Sequence, residues 1–252
     1  MALPAFLDRI QLLDEPRLAL FDADGVLWEK DVADDSTLWF IGTGRVRPTS
    51  AKWDEYKRIY KRDPCEGCRY LLTFFTGMPV AQLDRDMETY WSEFMKLDYL
   101  PEAIEVLRWF KERAFQIWVV TGSPTNSLTP LLKRLPVDRI IGMDYEVDAR
   151  GLITGRHSGI SCAGPGKGEK VASLWKGPIQ FAVGNATLDE AMIRLARDVK
   201  WAFYPHPDLL RIAEREGWEI LRSPKPPYGT TGWVSLEEEL RERGFAMPEW
   251  AK

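Results

Sequence analysis

The order of the predicted elements indicates an α/β fold with a mostly parallel sheet and helices on both of its faces. Apolar strand patterns alternate with helical patterns along most of the chain, and polar, glycine-containing segments follow several of the strand patterns. A helical, aromatic stretch interrupts this alternation after the first strand. The sequence therefore predicts a Rossmann-like core with an inserted helical cap domain.

The strand patterns are short and apolar, as expected for strands that are buried on both faces. Four of them are predicted in chain order, over residues 18–21, 115–120, 179–183 and 201–203, the last being the final strand. Pro101 opens a helix that leads directly into the second strand. Apolar spacing over residues 188–199 predicts another helix, and a turn at Gly151 between two apolar segments predicts a hairpin.

Strand patterns are absent from residues 38–97, where helical spacing predominates. One apolar stripe begins after Pro79 and is typical of a helix that faces a core. It consists of Val80, Leu83, Met87, Tyr90, Trp91 and Phe94. We therefore expect a helical cap over residues 38–97.

The rest of the chain divides around this cap. A discontinuous core is predicted over residues 1–37 and 98–222. Prolines and glycines in residues 223–232 predict a linker, and Ser235 with Glu238 predicts a capping box that starts a C-terminal helix. The linker and helix together occupy residues 223–252.

Composition excludes several classes of partner. The chain of 252 residues carries a net charge of −4 and has a pI near 5.5, whereas nucleic-acid backbones require a basic surface. No apolar run approaches the length of a membrane span, and residues 1–10 lack the pattern of a secretory signal. We expect a cytoplasmic monomer or homodimer without nucleic-acid or membrane partners.

Cysteine usage agrees with a reducing compartment, because three cysteines cannot complete a set of disulfides. Cys65 and Cys68 have the spacing of a zinc knuckle, but no second pair accompanies them, and His157 and His206 lie far along the chain. A zinc site, a redox pair and a structural loop of the inserted region are the alternatives, of which the loop is favoured.

The most informative segment follows the first predicted strand and contains Asp22, Asp24 and Gly25. Ligands of open α/β sheets bind beyond the carboxyl ends of the strands, so two acids placed there can meet a metal ion and a phosphate. Gly25 would allow close approach of the backbone to an anion. The alternative is an ordinary acidic turn, since Asp and Gly are common turn residues.

Three further polar segments occupy similar positions. They are Thr121-Gly122-Ser123, Gly164 to Lys170, and Gly184 to Asp189. The first offers hydroxyls and amides that suit phosphate oxygens. The second supplies a cation ahead of a helix that is predicted to begin near Val171. The third places the amide of Asn185 and the carboxylate of Asp189 beside a strand end.

With these four segments in this order, the chain resembles the haloacid dehalogenase superfamily, most of whose members are phosphatases. Its four motifs are similar to Asp22 to Val26, Thr121, Lys167 or Lys170, and Gly184-Asn185 with Asp189. The resemblance spans about residues 18–221. The position of the helical insertion and the segments around Gly122, Gly151 and Lys167 are most similar to the phosphoserine-phosphatase-like branch.

The resemblance implies a phosphatase that acts on a small phosphorylated metabolite through an aspartyl-phosphate. Asp22 would be the nucleophile, and Asp24 the acid that protonates the leaving alcohol and then activates water. Thr121 would hold the phosphoryl group, and Lys167 would offset charge that develops in the transition state. The amides of Gly25 and Gly122, together with Ser123, would complete the phosphate site.

Mg²⁺ is the cofactor that the resemblance implies, because the ligands would all be hard oxygens. They would be the Asp22 carboxylate, the Asp24 backbone carbonyl and Asn185, with Asp189 supporting them from behind. The family pattern usually has Asp where this chain has Asn185, so the metal should be bound more weakly. Val26 also stands in place of the more frequent Thr.

Two residues are left with alternatives. Lys167 is favoured over Lys170 as the motif lysine, and the other would be a solvated surface charge. Asp31 lies nine residues after Asp22, where phosphoserine phosphatases carry an acid that contacts the substrate amine. It could equally be an exposed acid on a solvated loop beside Asp34 and Asp35.

Two other functions compete with the phosphatase hypothesis. A phosphotransferase or mutase of the same fold would differ in how well the closed cap excludes water. A catalytically weakened binding protein is the second alternative, suggested by Asn185. A dehalogenase is disfavoured by the presence of Asp24, because that branch lacks the second acid.

Overall fold

The computed structural model describes residues 3–12, 16–96, 99–224 and 234–251. Its strands are β1 (Leu18–Phe21), β2 (Gln116–Pro124), β3 (Arg139–Val147), β4 (Ile153–Ser158), β5 (Phe181–Gly184), β6 (Val199–Phe203) and β7 (Glu219–Leu221). In the described residues they form one seven-stranded sheet in the order β4-β3-β2-β1-β5-β6-β7. All neighbours pair in parallel except β3 and β4, which are antiparallel. The mostly parallel α/β sheet is therefore confirmed.

Helices follow the strands and also fill a long insertion after β1. They are α1 (Val32–Gly42), α2 (Ser50–Arg62), α3 (Pro64–Leu71), α4 (Val80–Thr89), α5 (Pro101–Glu112), α6 (Thr125–Leu128), α7 (Pro165–Leu174), α8 (Glu190–Ile193), α9 (Pro207–Glu216) and α10 (Leu236–Glu242). Helices α1 to α4 lie between β1 and α5 in sequence and make up the predicted helical cap. Because α1 begins at Val32, helical structure starts before residue 38; the domain boundaries themselves remain a prediction.

The central position of β1 follows from its composition. All four of its residues are fully buried, and it pairs with β2 on one side and β5 on the other. Phe21 packs against Phe110 of α5 and Phe181 of β5, with ring centroids 6.1 and 5.3 Å apart. Such side chains contribute roughly 2–3 kcal/mol each when fully buried. This aromatic cluster holds the strand ends that carry the polar segments.

The apolar stripe after Pro79 faces a core, as predicted. Leu83, Met87 and Tyr90 are fully buried, and the helix continues from α4 into a π-helical segment, Tyr90–Phe94. The predicted hairpin is also present, with Val147 of β3 opposite Ile153 of β4.

The hairpin is joined to the cap through backbone hydrogen bonds. Gly77 donates to the Ile153 carbonyl at 2.8 Å, and Ile153 donates to the Met78 carbonyl at 3.0 Å. The cap is thus attached to the edge of the sheet as well as to the ends of β1 and α5.

Several predicted elements were wrong in extent. The helix expected over residues 188–199 is reduced to a short 3₁₀ turn and α8, because Val199 begins β6. The helix expected near Val171 begins earlier, at Pro165. The strand expected to be last is followed by α9 and β7. For residues 188–199, apolar periodicity in a short segment could not distinguish a helix face from a buried strand.

Cys65 and Cys68 lie on α3, so the expected structural loop was wrong. Asp63 caps this helix by accepting hydrogen bonds from the amides of Cys65 and Glu66. All three cysteines are free thiols. In the part of the chain that the structure describes, no group of three or more His, Cys, Asp or Glu side chains could hold a metal ion.

The capping box at the C-terminal helix is confirmed, since Ser235 accepts from the Glu238 amide and Glu238 accepts from the Ser235 amide. Most of the predicted linker, residues 225–233, lies outside the described residues.

Among the helices described, none is long and apolar enough to cross a bilayer.

The turn after β1 requires a glycine for two reasons. Gly25 has a φ of 77°, a left-handed conformation that favours glycine. A Cβ at this position would also overlap the side-chain amide of Asn185, which follows β5. The loops after β1 and β5 therefore approach each other only because Gly25 lacks a side chain.

We expect Gly25→Ala to cost at least about 2 kcal/mol of unfolding free energy, because it adds overlap with Asn185 to backbone strain. Gly44→Ala is the matched control. Gly44 has a φ of 73° and open space around its Cα, so its replacement should cost only about 1 kcal/mol. Denaturant unfolding of both variants measures the difference, and equal losses would contradict the close contact with Asn185.

Candidate active site

The polar segments converge at one end of the sheet, at the carboxyl ends of β1, β2 and β5. There they border a cavity of about 830 Å³. Its lining includes residues from all four sequence motifs, namely Asp22, Asp24, Thr121, Gly122, Ser123, Lys167, Asn185 and Asp189. The cap supplies further lining residues from α1, α2 and α3. This is the position at which open α/β sheets bind ligands.

A buried ion cluster forms the floor of the cavity. The Nζ atom of Lys167 lies 2.7 Å from Oδ1 of Asp22 and 2.5 Å from Oδ1 of Asp189. All three residues are at most 5% exposed. Burial lowers the pKa of Lys167, but the carboxylates of Asp189 and Asp22 raise it by more, so that the pKa lies above its usual range. Lys167 therefore stays an ammonium ion that holds the two acids together.

Asp22 keeps one oxygen available to a ligand. Oδ1 accepts from Lys167, whereas Oδ2 has no hydrogen-bond partner among the described residues. Burial and the charge of Asp189 raise the pKa of Asp22, and the Lys167 ammonium opposes this rise. A buried carboxylate with a free oxygen at a cavity is suited to act as a metal ligand or a nucleophile.

Asp189 is held by backbone amides as well as by Lys167. Its Oδ2 atom accepts from the amides of Asn185 and Ala186, both at 3.0 Å. The side chain thus orients the loop that carries Asn185. That Asp189 supports metal ligands stays a prediction. With both oxygens engaged, Asp189 has little capacity left to bind a metal directly.

Asp24 is held rigidly through both of its oxygens. Oδ1 accepts from the indole of Trp28 at 2.8 Å and from the amide of Val32 at 2.9 Å, and Oδ2 accepts from the hydroxyl of Ser123 at 2.8 Å. Burial, with a contribution from Asp31, raises the pKa of Asp24 to about 7. An acid in this range can both give and take a proton near neutral pH.

Two expected phosphate contacts are corrected by the structure. The amide of Gly25 donates to the Trp28 carbonyl at 2.8 Å, so it is not available to a phosphate. The hydroxyl of Ser123 serves Asp24, and its amide donates to Oγ1 of Thr121 at 3.0 Å. Thr121 and Gly122 lie on the cavity as expected.

Asn185 lines the same floor. It is 6% exposed, and its side-chain amide has no hydrogen-bond partner among the described residues. Together with the free oxygen of Asp22 it offers oxygen donors, which suit a hard ion such as Mg²⁺ rather than zinc. The donor set fits such an ion, although with less negative charge than two carboxylates would supply.

The two lysines of the third motif have different surroundings. Lys170 points away from the ion cluster, because its Nζ atom lies 2.5 Å from Oδ2 of Asp144 and 2.7 Å from the Gly142 carbonyl. Since α7 begins at Pro165, Lys167 falls in its first turn and Lys170 one turn later. Lys170 ties α7 to β3 and is not the solvated charge that was expected.

Asp31 does not lie on a solvated loop. It caps α1 by accepting from the Asp34 amide at 3.0 Å, and it lines the cavity. Burial, with the nearby charge of Asp34, raises the pKa of Asp31 to about 7. Asp34 lines the cavity as well and accepts from the hydroxyl of Tyr56 at 2.6 Å.

Sequence reasoning missed several residues of this site. Trp28 was seen only as part of an apolar run, although its position four residues after Asp24 allows the local contact. Glu239 of α10 and Arg243, which directly follows the helix, also line the cavity. Nothing in the sequence indicates that proximity, because long-range packing alone creates it.

Comparison with known proteins agrees with the fold. The family model of haloacid dehalogenase-like hydrolases matches residues 19–194. Protein CicA of Caulobacter vibrioides is 26% identical over 191 residues, which cover 72% of this chain and 84% of that protein. Phosphoserine phosphatase SerB2 of Mycobacterium tuberculosis is 26% identical over 203 residues, covering 79% of this chain but only 46% of that protein.

Solved structures share the fold at low sequence identity. A substrate-bound phosphoserine phosphatase superimposes with a TM-score of 0.58 and 19% identity, covering 85% of this chain and 96% of that one. The family model spans the residues that supply the cavity floor, from Asp22 to Asp189. The chain therefore belongs to the haloacid dehalogenase-like hydrolase family.

Proposed function

We propose that this protein is a Mg²⁺-dependent phosphatase that hydrolyses a small phosphorylated metabolite through an aspartyl-phosphate on Asp22. The observation that carries the proposal is the buried Asp22 carboxylate, which has Lys167 at 2.7 Å on one oxygen and the cavity at the other. Phosphoryl transfer needs in-line positioning and neutralised charge more than an unusually reactive nucleophile. The chain belongs to a hydrolase family, and a phosphoserine phosphatase is among the proteins similar to it; both findings also support the proposal.

In the first step a carboxylate oxygen of Asp22 attacks phosphorus, and the bond from phosphorus to the leaving alcohol breaks. Lys167 keeps the carboxylate in place and offsets charge on the transferring group. Thr121 and Gly122 lie where they can hold phosphoryl oxygens. Asp22 ends this step as an aspartyl-phosphate.

Asp24 moves the protons of both steps. Its Oδ1 atom accepts hydrogen bonds from two N–H groups. The transferable proton therefore resides on Oδ2 and passes from there to the oxygen of the leaving alcohol. Asp24 then takes a proton from water, which attacks the aspartyl-phosphate, releases phosphate and restores Asp22.

Asp22, the backbone carbonyl of Asp24 and Asn185 would hold the Mg²⁺ ion. When bound, the ion would neutralise charge on the phosphoryl oxygens. A second candidate function is a binding protein with weakened catalysis. Only Asn185 favours it, because an Asn in place of the family's usual Asp leaves the set of metal ligands with one negative charge fewer.

We expect Asp22→Asn to abolish turnover by about 10⁴-fold or more while the fold is retained, because it removes the attacking anion at nearly constant volume. Hydrolysis of p-nitrophenyl phosphate with Mg²⁺ measures the loss, and circular dichroism checks the fold. Activity within tenfold of wild type would remove Asp22 from this role.

We expect Asp24→Asn to harm esters of poor leaving groups more than esters of good ones, since good leaving groups need less proton donation. Ser123→Ala should show the same trend more weakly, because the hydroxyl acts through Asp24. The measurement is kcat/KM across aryl phosphates of increasing leaving-group pKa. A loss that is uniform across this series would make Asp24 a structural residue.

Replacing each lysine separately tests the assignment of the motif lysine. Lys167→Ala should lower kcat by about 10²-fold or more, because its ammonium contacts Asp22. Lys170→Ala, the control on the same helix, should have a mild effect because Lys170 contacts Asp144 instead. The reverse order of activities would transfer the role to Lys170.

Asn185→Asp should lower the Mg²⁺ concentration needed for half-maximal activity by roughly fivefold, which corresponds to about 1 kcal/mol from the added charge. Mg²⁺ titration of both proteins, with one substrate at one pH, measures the change. A wild type that is inactive at every concentration but rescued by the aspartate would favour the binding protein. An unchanged requirement would show that Asn185 is not a ligand.

A further inference from the structure

Part of the cavity wall comes from neither the core nor the inserted cap. Val234, Glu239, Glu242 and Arg243, all in or next to α10, line the cavity together with the residues of the catalytic floor. The family model ends at residue 194, so this wall lies outside the part of the chain that defines the family.

Helix α10 is held against the cap by apolar and charged contacts. Leu236 and Leu240 are buried, and the helix packs against α1 and α2. The Phe245 ring, just beyond the helix, stacks on Phe94 with centroids 5.5 Å apart. These contacts give the wall a fixed position relative to the cap.

An ion network locks the same position. Arg243 donates to Asp35 of α1 at 2.7 Å and to Glu239 at 2.8 Å. Lys57 of α2 lies 3.6 Å from Glu239 and also donates to the Val234 carbonyl. The charges of Glu239 and Arg243 are thus occupied in holding the helix.

Glu242 remains available to a ligand. It is exposed at the mouth of the cavity and forms no hydrogen bond or ion pair with a described residue. Asp31 and Asp34 line the same cavity from the cap, while its lining cations beyond Lys167 are Lys61 and the paired Arg243. The outer part of the cavity therefore favours a positive group.

The cavity has room for more than a minimal substrate. Its volume of about 830 Å³ is within the range of pockets that enclose whole drug-sized ligands. Its inner end holds unpartnered polar atoms of Asp22 and Asn185, both at least nine-tenths buried, which mark it as a ligand site. A substrate phosphorylated at one end could extend from this floor toward α10.

We propose that α10 is a substrate-recognition wall and that Glu242 selects phosphomonoesters whose leaving alcohol is extended and carries an ammonium group. This inference rests on the proposed phosphatase function. Asp31, capping α1 on the same cavity, would meet an ammonium group on a shorter leaving alcohol.

The test uses a series of ω-aminoalkyl phosphates of increasing length, each paired with the alkyl phosphate of the same length. The readout is the ratio of kcat/KM for the amine-bearing ester to that for its amine-free partner, with Mg²⁺ present. In the wild type this ratio should exceed one for long members. Glu242→Gln should lower it by roughly threefold to fivefold, as expected for one partly solvated ion pair.

Two controls accompany Glu242→Gln. Glu237→Gln changes an exposed acid on the same helix that does not line the cavity, and it should leave the ratio unchanged. Asp31→Asn should lower the ratio for short members of the series rather than for long ones. If Glu242→Gln leaves the ratio unchanged while the esters are hydrolysed, the inference is overturned and the phosphatase function stands.

If the wild type hydrolyses no ester, the phosphatase proposal fails, and calorimetric dissociation constants of the same esters decide the inference. Tighter binding of the long amine-bearing esters that is lost in Glu242→Gln would support the recognition wall. Equal binding of both ester types, or no binding, would overturn it.

Discussion

The site depends on one buried ion cluster, in which the Lys167 ammonium bridges the carboxylates of Asp22 and Asp189. Removing ions from water is costly, and breaking such a cluster leaves an uncompensated charge that costs about 3–5 kcal/mol. Asp22 follows β1, Lys167 lies in the first turn of α7, and Asp189 follows β5. Their mutual attraction therefore fixes three separate segments at one end of the sheet.

The remaining geometry follows from this arrangement. With Asp189 held by Lys167, its other oxygen binds the amides of Asn185 and Ala186 and shapes the loop after β5. That loop brings Asn185 against Gly25, where a larger residue would collide. The positions of the proposed metal ligands are thus consequences of charge pairing and close packing, and the carboxylate of Asp22, the proposed nucleophile, is oriented before any substrate binds.

The cap is attached to the core by the two covalent connections at its ends and also by noncovalent contacts. The β3–β4 hairpin forms hydrogen bonds with residues 77–78 of the cap. At the other attachment, Glu239 of α10 pairs with Lys57 of α2, and Arg243, which follows α10, pairs with Asp35 of α1. Both attachments come from segments that lie far away in sequence. They limit how the cavity can change shape, and α10 adds acids to a wall that the inserted cap alone would leave incomplete.

The sequence by itself determined the fold class, the position of the helical insertion and the residues of the floor. These features rest on local signals: the fully apolar strand β1, the stripe after Pro79, and polar segments at strand ends. Lys167 was favoured over Lys170 on its sequence context, and its place beside Asp22 agrees with that preference. Only the tertiary structure decided where α8 ends, that Ser123 and Trp28 serve Asp24, and that α10 borders the cavity. Most of those features depend on contacts between segments that are distant along the chain. The end of α8 depends on competition between a helix and a strand in a short apolar run. Neither kind of interaction leaves a periodic pattern in the sequence.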